Sequence, residues 1–291
     1  MTPPDPLRRP LLPPDGRPAV MAIVNRTPDS FYDRGAAWDP GAAADAVDRA
    51  VAEGADVVDV GGVKAGPGET VDVAEELRRV LPTVAAIRER HPDVRLSLDT
   101  WRAEVAREVC AVGIDLINDT WAGVDPRLSE VAAEFGVGIV CSHTGGAVPR
   151  TRPHRVRYHD VVADVIAETT AQARRHLAAG VDPARILVDP THDFGKNTFH
   201  GLELLRRVDE LVATGWPVLM ALSNKDFVGE TLGTAAVTER LEGTLAATAI
   251  AARAGCAMFR VHEVAATRRV VDMAAAVRGT HPPARTVRAL A

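Results

Sequence analysis

The stretch Ile186-Leu187-Val188-Asp189-Pro190-Thr191-His192-Asp193-Phe194-Gly195-Lys196 reads as a buried strand that ends in a polar loop. An unbroken run of aliphatic and β-branched residues suits a strand covered on both faces, as parallel sheets require. A carboxylate closing such a run has two readings, a turn cap ahead of Pro190 or a group aimed into a site at the strand tip. Repetition favours the second. Asn25, Asp59, Asp99 and Asn118 also close apolar runs, and capping alone does not explain five such tips.

Outward from this stretch, short apolar runs alternate with segments of helical length from Ala19 onward. Strands are expected at 20–25, 57–61, 96–99, 116–118, 138–142, 186–189, 218–223 and 258–261. Helices are expected at 41–53, 73–90, 103–112, 126–134, 160–179, 202–214, 237–254 and 265–277. Eight strands alternating with eight helices is the pattern of a (β/α)8 TIM barrel, an α/β fold in a single domain, with a doubly wound open sheet as the alternative. In the segment 160–179, Val161, Val162, Val165, Ile166, Ala173 and Leu177 recur at three- and four-residue steps, so one face packs and the other stays wet. Gly54, Gly113 and Gly180 each stand where a left-handed cap would stop a helix before the next strand.

At 291 residues the chain fits one barrel, assigned to 19–280, between a Pro-rich flexible N-terminal tail at 1–18 and a C-terminal tail at 281–291. Hydrophobic content of 46% with 25% charged residues is that of an ordinary soluble protein, and no apolar stretch approaches the roughly 18 residues that span a bilayer. Residues 1–18 lack the apolar core and cleavage site of a secretory signal, so a cytoplasmic location without membrane association is expected. A net charge of −5 argues against nucleic acid as a partner, while leaving room for local basic pockets. Cys110, Cys141 and Cys256 share no metal-like spacing and read as buried thiols.

In a barrel the site is built at the C-terminal ends of the strands. That rule gathers Asn25, Asp99, Asn118, His143, Asp189, Ser223, Lys225, Arg260 and His262 at one mouth. Carboxylates with a carboxamide suit a flat heterocycle edged with N–H and amino groups, and Lys225 would complement its carbonyl or ring nitrogen. Arg260 and His262, two apart on a strand tip, project on the same side and could receive a phosphate beside a hydrated cation at Asn25.

The motifs Asn25-Arg26-Thr27-Pro28-Asp29-Ser30-Phe31, Asp59-Val60-Gly61-Gly62, Leu98-Asp99-Thr100, Ile117-Asn118-Asp119, Asp189-Pro190 with Phe194-Gly195-Lys196, Ser223-Asn224-Lys225 and Arg260-Val261-His262 occur in this order from about residue 20 to 277. Together they resemble the dihydropteroate synthases. The resemblance implies a (β/α)8 fold in which 6-hydroxymethyl-7,8-dihydropterin pyrophosphate loses pyrophosphate and p-aminobenzoate attacks the methylene to give 7,8-dihydropteroate. It implies that Asp99, Asn118, Asp189 and Lys225 line the pterin pocket with Phe194 and Lys196, and that Ser223 lies on the p-aminobenzoate side. It places Asn25, Arg260 and His262 at the pyrophosphate and Mg2+, with Asn25 as the metal-side residue and Lys225, Arg260 and His262 as the catalytic groups. It also implies a homodimer formed through the last helices, between Val237 and Val277.

The departures from that family pattern cluster at the mouth. After Gly61-Gly62 the family continues Glu-Ser-Thr-Arg-Pro-Gly, whereas this chain reads Val63-Lys64-Ala65-Gly66-Pro67-Gly68. The Thr and Arg of the closing loop are absent, and Lys64 is a point charge two residues away. Ser-Arg-Lys-Ser is replaced by Ser223-Asn224-Lys225-Asp226, a preceding Gly by Ala221, the fifth strand tip reads His143-Thr144-Gly145-Gly146, and Thr191-His192-Asp193 replaces a small Gly-containing loop. This combination resembles the divergent second dihydropteroate synthase paralogue of actinobacteria, which implies weak or lost activity in the standard reaction. The alternatives are a fully active synthase of folate biosynthesis, a non-catalytic pterin-binding protein, or an enzyme acting on a different phosphorylated substrate. The basic segment 150–157 reads as a solvated loop or an anion-binding surface over the mouth.

Overall fold

Strands covered on both faces must each be followed by a helix that returns the chain over the sheet, and the computed structural model realises this for residues 9–27, 40–151 and 157–288, the residues it describes. The order is β1 (Ala19–Asn25), α1 (Pro40–Ala52), β2 (Val57–Gly61), α2 (Val73–Arg90), β3 (Arg95–Asp99), α3 (Ala103–Cys110), β4 (Leu116–Asn118), α4 (Leu128–Phe135) and β5 (Gly138–Ser142). It continues α5 (Val161–Ala178), β6 (Ile186–Asp189), α6 (Thr198–Arg206), α7 (Val208–Val212), β7 (Leu219–Met220), α8 (Asp226–Leu232), α9 (Leu241–Ala254), β8 (Met258–Val261) and α10 (Val264–Arg278). All pairings are parallel, in the order β6-β5-β4-β3-β2-β1-β8-β7. A single bridge between Val188 and Val218 joins β6 to β7 and closes the (β/α)8 barrel.

Register sorts the side chains. Asn25 pairs with Gly61, Gly61 with Asp99, and Asp99 with Asn118, so these four stand in one row at the C-terminal rim. Ile23 pairs with Asp59, and Met21 with both Val57 and Arg260, which sets Asp59 and Arg260 deeper in the barrel. Below them, Leu11, Met21, Val57, Leu116, Val140, Leu187, Leu219 and Met258 form a closed apolar floor. The outer faces of the strands pack with the helices into one larger core. At the N-terminal end Gly138 is required, because a Cβ there would lie 2.5 Å from Leu11 Cδ1 and 2.6 Å from the Arg185 carbonyl oxygen.

Five expectations need correction. Residues 9–18, assigned to a tail, run across the N-terminal end of the barrel: Leu11 is 2% exposed, and the Pro10 and Arg9 carbonyls accept from Arg95 Nε at 2.5 Å and Arg185 Nη1 at 3.2 Å. The strand expected at 218–223 is only Leu219–Met220, since Pro217 offers no N–H and the chain turns away at Asn224, whose φ is 56°. The helix expected at 202–214 starts earlier, at an Asn197–His200 capping box, and divides at Arg207, whose guanidinium reaches Asp160 at 3.0 Å. The short helix α8 was hidden in what reads as loop, and the helix expected at 237–254 begins with a 3-10 turn, Val237–Glu239. No described helix is long and apolar enough to cross a membrane.

Candidate active site

The floor of the mouth is a charged cluster. Arg260 Nε donates to Asp59 Oδ2 at 2.7 Å and Nη2 to Asp99 Oδ2 at 2.8 Å, while Asn118 Nδ2 donates to Asp59 Oδ2 at 3.1 Å and Thr120 Oγ1 to Asp99 Oδ1 at 3.2 Å. Asp59 is fully buried. Burial works against the charge on Arg260, but the Asp59 and Asp99 carboxylates outweigh it and its pKa is raised. Burial pushes Asp99 up to about 7, against the pull of the Arg260 guanidinium. Asp59 Oδ1 and Asn118 Oδ1 are buried acceptors with no hydrogen-bond partner among the described residues. Asn25 Oδ1 stands at the same rim, 3.7 Å from where a Cβ on Gly61 would be.

The β6 tip forms the second wall. Asp189 is 2% exposed, its Oδ1 accepts the Thr191 N–H at 2.7 Å, and burial pushes its carboxyl up to about 6. Thr191 takes a left-handed φ of 51°, and the Phe194 N–H closes the turn onto the Thr191 carbonyl at 3.1 Å. Lys196 clamps this turn: its Nζ lies within hydrogen-bond distance of the carbonyls of Thr191 (3.1 Å), Phe194 (2.9 Å) and His143 (3.0 Å) and of His143 Nδ1 (2.8 Å). Burial lowers Lys196 to about 7. Lys196 was expected at the substrate; the structure places its ammonium inside the loop, as a brace. Phe194 packs edge-on against Trp121 with centroids 4.6 Å apart, giving the mouth an aromatic side.

His143 was expected to face the mouth and instead turns outward to α5. Its side chain is fully buried, with Nε2 2.8 Å from Asp164 and 3.4 Å from Glu168. His143, Asp164 and Glu168 lie close enough together to hold a cation. The Lys196 ammonium on Nδ1, however, leaves the ring proton on Nε2, where it donates to Asp164, and a protonated nitrogen offers no lone pair to a metal. Burial lowers His143 to about 4, so the ring is neutral near pH 7.

On the β7–β8 side, Ser223 Oγ lies 3.0 Å from His262 Nδ1 and donates to Glu263 Oε2 at 3.2 Å, and Asn224 Nδ2 donates to Glu263 Oε1 at 2.8 Å. Burial, helped by Arg260 and Lys225, lowers His262 to about 3. Lys225 pairs with Asp193. The loop after β2 is held from two directions: Arg79 Nη1 donates to the Gly62 carbonyl at 3.0 Å, and Arg150 reaches the Gly66 carbonyl at 3.5 Å and also the Glu69 carbonyl. Of the basic segment 150–157, residues 152–156 lie outside the described residues.

The structure thus brings Asp99, Asn118, Asp189, Ser223, Lys225, Arg260 and His262 to the C-terminal mouth with Asn25 at the rim, and it adds residues that sequence reasoning passed over. Asp59 was read as a strand tip, yet it sits one layer down as the anchor of Arg260. The signal available was an Asp between two valines inside a strand. Glu263 and Trp121 were missed altogether; Glu263 directly follows His262, and Trp121 stands two residues beyond the motif Ile117-Asn118-Asp119.

Residues 21–262 match the family described as pterin binding enzyme. The chain belongs to that family. This member is 67% identical over 279 residues to a Mycobacterium leprae protein named inactive dihydropteroate synthase 2, covering 94% of this chain and 96% of the relative. Among solved structures, Mycobacterium tuberculosis Rv1207 superposes with a TM-score of 0.72 at 54% identity, covering 94% of this chain and 97% of the other. Xanthomonas albilineans dihydropteroate synthase in complex with 7,8-dihydropteroate superposes at 0.79 with 37% identity, covering 91% and 95%. The motif resemblance is therefore borne out, and the fold of this pterin-binding family member is that of the dihydropteroate synthases.

Proposed function

We propose that this pterin-binding barrel takes a pterin at its C-terminal mouth and carries out the dihydropteroate synthase reaction weakly or not at all. The observation that carries the first half is the pair of buried acceptor oxygens, Asp59 Oδ1 and Asn118 Oδ1, with no partner among the described residues. Buried acceptors cost free energy unless a donor meets them, and the N–H and amino edge of a pterin presents such donors at Asn118, Asp59 and Asp189. Phe194 and Trp121 supply an aromatic side for the ring, and Lys225 a donor for its carbonyl. The Xanthomonas albilineans neighbour, solved with 7,8-dihydropteroate, supports the same ligand class.

The second half rests on how the anion-handling groups are engaged. In the family reaction the C–O bond to pyrophosphate breaks, the p-aminobenzoate nitrogen forms the new C–N bond and then sheds a proton. The protein's task is to position the ring and stabilise the leaving anion. Here Arg260 is committed to Asp59 and Asp99, His262 is neutral, and the loop after β2 carries Ala65 and Gly66 in place of Thr and Arg. The Mycobacterium leprae relative's name, inactive dihydropteroate synthase 2, agrees. Mg2+ bound at the site would supply charge neutralisation of the pyrophosphate. Asn25 is the residue that would hold it, and a single amide oxygen fits an ion bound mainly through phosphate oxygens and water. Ser223 would face p-aminobenzoate. A homodimer through α9 and α10 is supported by Ile250, Met273 and Val277, which are 55%, 64% and 59% exposed on those helices; light scattering at micromolar concentration giving a monomer mass would remove it.

The test of the reading is calorimetry with 6-hydroxymethyl-7,8-dihydropterin, its pyrophosphate and p-aminobenzoate in Mg2+, beside a turnover assay for 7,8-dihydropteroate. Pterin binding with little or no product is the expected result. No pterin binding would overturn the first half of the proposal, and ordinary synthase turnover the second.

A further inference from the structure

The loop after β6 is docked onto α8 by consecutive residues. His192, 4% exposed, stacks on Phe227 with ring centroids 5.3 Å apart, and neither of its ring nitrogens has a partner among the described residues. Asp193 pairs with Lys225 at the start of α8, and Thr198 bonds Glu230 farther along it. From beneath, Lys196 grips both ends of the turn through the Thr191 and Phe194 carbonyls. The Asp193 carboxylate is thus presented to Lys225 by a turn braced on two sides, and its pairing costs little side-chain ordering.

We infer that Asp193 is a built-in counter-ion for Lys225 that biases the mouth towards pterins without a pyrophosphate group. The inference rests on the reading of the mouth as a pterin site and names the ligand class within it. An ammonium has three donors, of which Asp193 occupies one, so Lys225 still donates to a neutral carbonyl. An incoming anion meets the same ammonium with its charge already compensated, and must either displace a pre-positioned carboxylate or sit beside it. Ser223 repeats the arrangement, because its hydroxyl faces the Glu263 carboxylate at 3.2 Å and an aminobenzoate carboxylate would meet that charge. Arg260, a further cation on this side, is held by Asp59 and Asp99.

The experiment compares the wild type, Asp193→Asn, Asp193→Gly, and Asp193→Asn combined with Lys225→Met. Calorimetry with 6-hydroxymethyl-7,8-dihydropterin, its pyrophosphate and inorganic pyrophosphate gives the affinities, and thermal melts verify that each protein is folded. Asp193→Asn and Asp193→Gly are expected to bind both pyrophosphate ligands about fivefold more tightly, the equivalent of ~1 kcal/mol of partly exposed ion-pair energy. The uncharged pterin should change less than about twofold, and Lys225→Met should cancel the gain. Equal pyrophosphate affinities in the wild type and both single variants would overturn the inference. If no pterin binds the wild type, the pterin reading fails by itself, while the inorganic pyrophosphate arm still decides the role of Asp193.

Discussion

Replacing Arg260 with methionine separates two roles that its position allows. If Arg260 chiefly receives pyrophosphate, Arg260→Met lowers affinity for that ligand and leaves stability alone. If it chiefly holds the barrel's inner carboxylates, the variant loses stability with no ligand present. The geometry favours the second: Asp59 is 0% exposed and Asp99 19%, each within 2.8 Å of the guanidinium. Removing one partner of a buried pair typically costs about 3 to 5 kcal/mol. Asp99, partly open and already raised to about 7, can relieve part of that by taking a proton, so the lower end, ~3 kcal/mol, is expected. In a chain of this size that corresponds to roughly 5 °C in Tm. The sign with pH follows. Without the guanidinium, Asp99 is raised further above its unfolded value, so the folded variant binds more protons than the unfolded chain at mildly acid pH and loses stability as pH rises. The deficit against wild type should therefore be smaller at pH 5 than at pH 8, and adding Asp59→Asn should recover part of it. Melts by circular dichroism at both pH values test this. Coincident melting of variant and wild type at pH 8, within about 1 °C, would refute the structural assignment.

Asp189→Asn should weaken binding of 6-hydroxymethyl-7,8-dihydropterin by about 1.5–3 kcal/mol, because a charged buried acceptor is lost. Wild-type affinity should fall as pH drops through about 6, where Asp189 takes up its proton, while the Asn variant stays flat across that range; calorimetry at pH 5 and 7.5 distinguishes them. Ala65→Thr with Gly66→Arg should raise 7,8-dihydropteroate formation. Gly66 accepts the change, since its φ is not positive and a Cβ there meets only Lys64 Cε at 3.9 Å; two inactive proteins would move the cause to Ala221, Asn224 and Asp226. Gly138→Ala should cost about 1–3 kcal/mol by overpacking against Leu11 and the Arg185 carbonyl, read from urea melts; an unchanged midpoint would show that residues 9–18 do not pack against the barrel floor.

The barrel was legible because its strands are unbroken apolar runs and its rim residues close those runs. Where chemistry depends on register, the sequence said less. The period of two puts Arg260 and His262 on one side of β8, but only the pairing of Met21 with Arg260 and Ile23 with Asp59 reveals that Arg260 starts below the rim and turns onto buried Asp59. His143 was misplaced for a related reason: it follows β5 with the right spacing for the mouth, yet Lys196, Asp164 and the α5 face draw the ring outward. The Asp193–Lys225 pair joins residues 32 apart, and its formation depends on a turn with a left-handed Thr191, a conformation that β-branched residues rarely adopt and sequence does not announce.

Active sites usually retain unpaired charge at some cost in stability, and that charge is what recognises the reacting anion. This mouth has moved the other way, with Arg260 tied to two carboxylates and Lys225 to a third. The missing Thr-Arg pair and the added Asp193 are then two separate obstacles to handling pyrophosphate. They lie on opposite sides of the mouth, because Asp193 follows β6, which is four strands from β2 in either direction around the closed barrel. Eight strand spacings of about 4.8 Å around the ring give a diameter of roughly 12 Å between them. At that distance substitutions are expected to add to within about 0.5 kcal/mol. The triple variant Ala65→Thr, Gly66→Arg, Asp193→Asn should accordingly bind pterin pyrophosphate with the product of the two separate gains. A combined gain well above that product would mean that the loop arginine reaches Lys225, placing both on one phosphate. A gain no larger than either alone would mean that Arg260, still held by its carboxylates, sets the limit.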